Sequence, residues 1–283
     1  MLRTRILTAI VLLALIAGAG LASPAALHAL AWAFFALAML EWLRLAGSGP
    51  RVAMAGCVAL YGLGMGVEAA GLFDAIPVRF LSALSVALWL VIVFHLVRVQ
   101  RGAPLAVPLP LSRLLAPLLT GIAALALTSL LRQGLVWTLS ALALVWVADI
   151  AAYFTGRAFG RSKLADRISP GKTWAGVWGA IGAVALLCLA AWAWWPQARW
   201  PLWPVALLRQ GPLTGAAVLA LAVVLSIAGD LFESLVKRQA GAKDSGRLLP
   251  GHGGVWDRID ALLPVLPLAL LASFPPGGLG IHG

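Results

Sequence analysis

Leu213-Thr-Gly-Ala-Ala-Val-Leu-Ala-Leu-Ala-Val-Val-Leu-Ser-Ile-Ala-Gly-Asp230-Leu-Phe232 decides the fold. The stretch carries a single charge, Asp230, near its end. An apolar run of about 20 residues crosses the hydrocarbon of a bilayer as an α-helix. A helix meets its backbone hydrogen bonds internally, which lipid requires. Working outward, similar runs recur at residues 6–22, 25–43, 52–72, 79–97, 114–131, 135–155, 174–195 and 255–274. The sequence therefore predicts an all-α, polytopic integral membrane protein with about nine transmembrane helices. Composition agrees: the chain of 283 residues is 62% hydrophobic and 11% charged, against about 25% charged for a soluble domain. Disorder, a coiled coil and an ordinary soluble globule are excluded.

The formal net charge is +11. In a soluble protein such an excess points to nucleic acid. Here its placement along the chain gives another reading. Sorted by alternate loops, 17 of the 21 basic residues fall on one side, Arg44, Arg98, Arg157, Lys172 and Lys237 among them. Arg79, Arg132, Arg199 and Arg209 fall on the other. The positive-inside rule then sets the N-terminus and the basic loops in the cytoplasm and the C-terminus outside. No nucleic-acid partner is expected. Arg3, Arg5 and the small residues Ala22-Ser23 give the first span a signal-peptide look. A second apolar span follows at once, so a helical hairpin is expected instead. Trp192, Trp194, Trp195, Trp200 and Trp203 are expected as an interfacial aromatic belt. Cys57 and Cys188 stand alone in apolar stretches and read as small buried hydrophobes. The chain divides into N-terminal helices at 1–75, middle helices at 76–132 and a C-terminal catalytic region at 133–283.

Polar residues concentrate in two regions on the basic side. The first runs from Asp149 through Tyr153, Gly156 and Arg157 to the turn Ser169-Pro-Gly-Lys172-Thr173. A carboxylate in a span costs about 2.5–3.5 kcal/mol, so Asp149 needs a partner or a task. The Ser169–Thr173 turn lacks the upstream glycine of a P-loop, position 166 being Asp. It remains a basic turn opening a helix, where an anion can bind. The second region runs from Asp230 to Asp260. Glu233 and Lys237 follow Asp230 on one helical face, and Asp257 and Asp260 share a face at i, i+3. Carboxylates brought together repel unless a cation sits between them. Mg²⁺ takes one or two carboxylates together with phosphate oxygens. Between the acidic pairs lies Lys243-Asp-Ser-Gly-Arg247-Leu-Leu-Pro-Gly-His252-Gly-Gly254. Its glycines admit a ligand to the backbone and its cations suit phosphates. The pattern points to chemistry on a phosphate chain.

Ser234-Leu-Val236-Lys237-Arg238, Lys243-Asp244, Gly246, Leu249-Pro250, His252-Gly-Gly-Val255 and Asp257-Arg-Ile-Asp260 fill every position of a known signature at 234–260. On these residues the chain resembles the phosphatidate cytidylyltransferases (CDP-diacylglycerol synthases). Asp149…Tyr153…Gly156-Arg157, the Ser169–Thr173 turn and, more weakly, Glu41-Trp42 also look like the family's. The resemblance is strong in the C-terminal half; the first 140 residues match mainly in hydropathy. It implies transfer of CMP from CTP to phosphatidate, giving CDP-diacylglycerol and pyrophosphate. It implies Mg²⁺, with room for a second cation, a homodimer, and a bacterial inner membrane with the site facing the cytoplasm. Carried over by motif, Asp230 and Asp257 are the metal carboxylates, with Asp260 and Asp149 in or near that shell.

The phosphatidate phosphate is already an anion, so no strong general base is needed. The expected catalytic set is Asp230, Asp257, Asp260, Lys237 and Lys243. The expected substrate contacts are Asp149, Arg157, Ser169, Lys172, Thr173, Arg238, His252 and Arg258. Two other readings are a CTP-dependent transferase on another lipid acceptor and an ion-coupled transporter using Asp149 and Glu68. The transporter is disfavoured because the charges gather at one surface and internal repeats are absent.

Overall fold

A computed structural model describes residues 2–194 and 202–273. The chain runs α1 (Leu2–Ala22), α2 (Pro24–Leu45), α3 (Pro50–Ala69), α4 (Val78–Gln100), α5 (Leu109–Gln133) and α6 (Leu135–Phe159). A short hairpin of β1 (Lys163–Ala165) and β2 (Ser169–Thr173) follows. It leads into α7 (Trp174–Trp194), α8 (Trp203–Gln210), α9 (Pro212–Gln239), α10 (Trp256–Ile259) and α11 (Leu262–Ala272). The protein is an all-α polytopic bundle. Helix starts follow local chemistry: Ser23 accepts a hydrogen bond from the Ala26 N–H and Pro24 opens α2.

Seven described helices, α2 to α7 and α9, are long and apolar enough to cross a membrane. The first and last of the nine expected spans differ from these. In α1 the apolar part is the shorter Ile6–Ala22. The last is broken between α10 and α11, and α11 has 11 residues. Pro264 and Pro267 fall within it, and a proline supplies no N–H to the helix ladder. Leu263 to Leu270 are all buried. This stretch therefore faces protein, where broken backbone is tolerated at membrane depth.

Contacts sort the helix ends into two sets. At one end Arg132 pairs with Glu68 at 2.6 Å, and His28 Nδ1 lies 3.5 Å from the same carboxylate. Arg79 donates there to the Ser273 carbonyl at 3.1 Å. At the opposite end Arg113 caps α2 through the Ala46 carbonyl at 2.9 Å, and Gln239 exchanges hydrogen bonds with the Val107 backbone at 2.8 Å. The hairpin sits at this second end, its Arg167 donating to the Ala103 carbonyl at 3.1 Å. Residues 256–273 cross from this end to the other.

Trp192 and Trp194 are exposed, as a belt requires. Trp203 is not: it is fully buried and donates to the Ala269 carbonyl at 3.1 Å. Trp195, Arg199 and Trp200 lie outside the described residues. Cys57 and Cys188 are free and buried.

Candidate functional site

The C-terminal ends of α6 and α9, the hairpin, the start of α7 and the start of α10 enclose a cavity of about 650 Å³. Ten of the residues expected from the sequence line it: Asp149, Arg157, Ser169, Lys172, Thr173, Asp230, Lys237, Asp257, Arg258 and Asp260. Asp149 and Asp230 meet here because α6 and α9 both end at this face. Gly229 permits the next approach. A Cβ there would stand 2.3 Å from the Asp260 carbonyl oxygen, so only glycine lets α10 close on α9. As a result Asp230, Glu233 and Asp260 each offer an oxygen within 4.8 Å of the others.

Two lysines divide the carboxylates between them. Lys172 Nζ stands 2.5 Å from Asp230 Oδ2. Burial alone would lower its pKa, but Asp230, with Asp149 and Asp260 behind it, raises the Lys172 ammonium above the ordinary lysine value. Lys237 Nζ bridges Glu233 Oε2 at 2.7 Å and Asp257 Oδ1 at 2.6 Å. The other oxygen of Asp257 accepts from the Ser245 N–H at 2.9 Å, the Ser245 hydroxyl at 2.9 Å and the Gly254 N–H at 2.8 Å. Gly253 makes that turn possible: its φ is +83°, and a Cβ would lie 2.7 Å from Asp257 Oδ2. The signature loop is thus wound around the Asp257 carboxylate.

Thr173 faces the cavity, and its hydroxyl accepts from the Gly176 N–H at 3.2 Å, capping α7. Arg157 reaches the Tyr153 hydroxyl at 3.3 Å. Arg258 donates to the His252 carbonyl at 2.7 Å, which ties the loop to α10. Three expected residues stand off the cavity wall. Arg238 and Lys243 point to solvent, and His252 contributes its backbone to Arg258.

The cavity also holds residues that sequence reasoning left out of the site. Glu233 lines it and is buried, with Oε1 lacking a hydrogen-bond partner among the described residues. Its i+3 spacing from Asp230 and i+4 pairing with Lys237 were the available signal. Tyr153, Lys163 and Asp244 complete the polar wall; Lys163 had no signal, since its place depends on the hairpin. Glu41 lies behind the wall. It is buried; its Oε2 accepts from the Trp256 N–H at 2.9 Å and lies 2.8 Å from the Ser245 hydroxyl, whose single proton it shares with Asp257 Oδ2. Trp42 beside it stacks on Trp256 at 4.5 Å.

The fold and this cavity define a polytopic membrane protein with a densely charged site at one end of its bundle. Its sequence settles the class further, and the chain belongs to the Cytidylyltransferase family, whose sequence model matches residues 3–274. A phosphatidate cytidylyltransferase of Pseudomonas aeruginosa is 40% identical over 273 residues, 95% of each chain. One from Synechocystis is 44% identical over 136 residues, 48% of this chain and 42% of that protein. One from Brucella suis is 51% identical over 131 residues, 46% of this chain and 43% of that protein.

Proposed function

We propose that this protein transfers CMP from CTP to phosphatidate, giving CDP-diacylglycerol and pyrophosphate at the cytoplasmic face of a bacterial inner membrane. The observation that carries the reading is the charge inventory of the cavity. Six carboxylates and five cations line it. Two polyanionic substrates would be repelled by that wall without further positive charge.

The residues fit Mg²⁺. Asp230, Glu233 and Asp260 converge within 4.8 Å, and the Glu233 Oε1 is a buried oxygen without a donor. Asp230 and Asp260, with Glu233, would hold the ion. Asp257, expected from the sequence as the partner of Asp230, lines the same cavity and shares the Lys237 ammonium with Glu233, so it stands beside that group. When bound, Mg²⁺ offsets charge on the phosphate oxygens. A second cation suits the same excess of carboxylates.

The protein's own groups do the remaining work. Lys172 and Lys163 present positive charge from the hairpin, and Arg157 and Arg258 do so from opposite walls. They bring two anions together and steady the charge that builds on the α-phosphorus and the leaving pyrophosphate. The attacking oxygen belongs to an ionised phosphate, so no side chain has to remove a proton. This agrees with His252 standing off the cavity wall. The acyl tails stay at membrane depth while the head group enters the polar end.

Release of pyrophosphate by the purified protein, with CTP, phosphatidate and Mg²⁺ omitted in turn, tests the reading. Turnover is expected only with all three, and Asp230→Asn and Asp257→Asn should abolish it while leaving folded protein. Near-normal turnover in both variants, or equal turnover with a prenol phosphate acceptor, overturns it. The resemblance also implies a homodimer, which light scattering of the solubilised protein checks.

A further inference from the structure

A second cavity, of about 480 Å³, opens beside the charged one and is mainly apolar, with Gln100, Arg101 and Lys163 as its polar lining. Lys163, Leu164, Val177 and Ile227 line both, so the two adjoin. Its floor is buried, with Leu96 from α4, Ile168 from the hairpin, and Ala228 and Leu231 from α9. Its mouth is exposed: Val97, Trp174 and Val224 present 43%, 46% and 40% of their surface. Arg101 and Lys163 stand at the hairpin end, and neither forms a salt bridge among the described residues. Along α4 the groove runs from Val93 to Arg101, about 12 Å at the rise of an α-helix.

A groove with a greasy floor, a side open between transmembrane helices and, at the hairpin end where it adjoins the charged cavity, two cations without an ion pair among the described residues fits one occupant. We propose that it holds the proximal part of one acyl chain of the glycerophospholipid substrate, and that Lys163 and Arg101 steer that lipid's phosphate into the charged cavity. The proposal rests on the functional reading above and adds where the lipid lies. Val97 and Val224 are then specificity-determining residues, since their side chains set how a tail enters. The lipid does not have to leave the bilayer: the tail slides between α4 and α7 as the head group turns inward.

Val97→Trp and Val224→Trp test this, with Val91→Trp, on a 64% exposed position of α4 outside the groove, as the control. Each is assayed with a long-chain and a dihexanoyl phosphatidate at varied CTP. The groove variants are expected to raise KM for the long-chain lipid about tenfold, leaving KM for CTP and turnover of the short-chain lipid as in wild type. A phosphatidate carrying a photoreactive group near the carboxyl end of its chain should label α4 and α9 at groove positions. Equal loss on both lipids, no change on either, or labelling confined to α3 overturns the proposal. Wild-type protein inert towards both lipids would instead remove the functional reading, and the groove assignment with it.

Discussion

The Ser245 hydroxyl stands 2.8 Å from Glu41 Oε2, joining two residues 204 positions apart. Through that contact α2 holds the loop that encloses Asp257. The same hydroxyl lies 2.9 Å from Asp257 Oδ2, and the Trp256 N–H completes the clamp at 2.9 Å from Glu41. A helix from the N-terminal part of the chain therefore sets the position of a carboxylate in the C-terminal signature.

Glu41→Ala strands the Trp256 N–H in a buried setting and leaves the Ser245 hydroxyl with Asp257 Oδ2 alone. A stranded buried polar group costs about 1–3 kcal/mol. A lower thermal midpoint in detergent is expected, with loss of pyrophosphate release because Asp257 is no longer held. Glu41→Gln keeps an acceptor and should lose less of both. Identical melting and turnover for Ala and wild type would show that the clamp is idle.

Gly253→Ala forces a side chain into a left-handed backbone conformation and towards Asp257 Oδ2. The backbone alone costs roughly 1–2 kcal/mol. The loop should shift and take the Asp257 carboxylate with it. The expected outcome is folded protein with turnover reduced at least tenfold, read by circular dichroism beside the release assay.

Lys172→Met leaves Asp230 without its partner at 2.5 Å and removes a cation from the substrate cavity. Removing one preorganised electrostatic contact typically lowers kcat by about 10²–10³. Lys172→Arg keeps the charge and should recover part of the loss. Steady-state kinetics in CTP and in phosphatidate measure both, and unchanged kinetics in the Met variant would remove Lys172 from the mechanism.

Arg132→Met breaks the ion pair with Glu68 at the far end of the bundle. A partly exposed pair contributes up to about 1 kcal/mol. The thermal midpoint should fall slightly and turnover should stay near wild type. A large loss of activity would mean that the two ends are coupled.

The helices were legible because hydropathy is local: each apolar run reads as a helix whatever its neighbours do. The last run was harder. Its composition matched a span, but Pro264, Pro267 and its neighbours in the bundle make it a broken, buried crossing. The hairpin escaped notice because Lys163–Ala165 is three residues long and Ser169–Thr173 contains Pro170 and Gly171, which carry no strand pattern. Lys163 entered the cavity unannounced for the same reason. Glu233 was visible beside Asp230 and Lys237 as an ordinary ion-pair partner, and only burial marks it as more.

Sequence alone determined that this chain crosses a membrane and that Asp149, Asp230, Asp257 and Asp260 stand at span ends on its basic side. Hydropathy and helical period act within a few turns of one helix, so both are written locally. The tertiary structure decided which charge meets which. Packing at Gly229 draws Asp260 to Asp230 and Glu233, Lys237 claims Asp257, and Glu41 reaches in from α2. Arg238, Lys243 and His252 stay off the wall. Those pairings depend on distances between helix ends, and close packing of the whole bundle sets those distances.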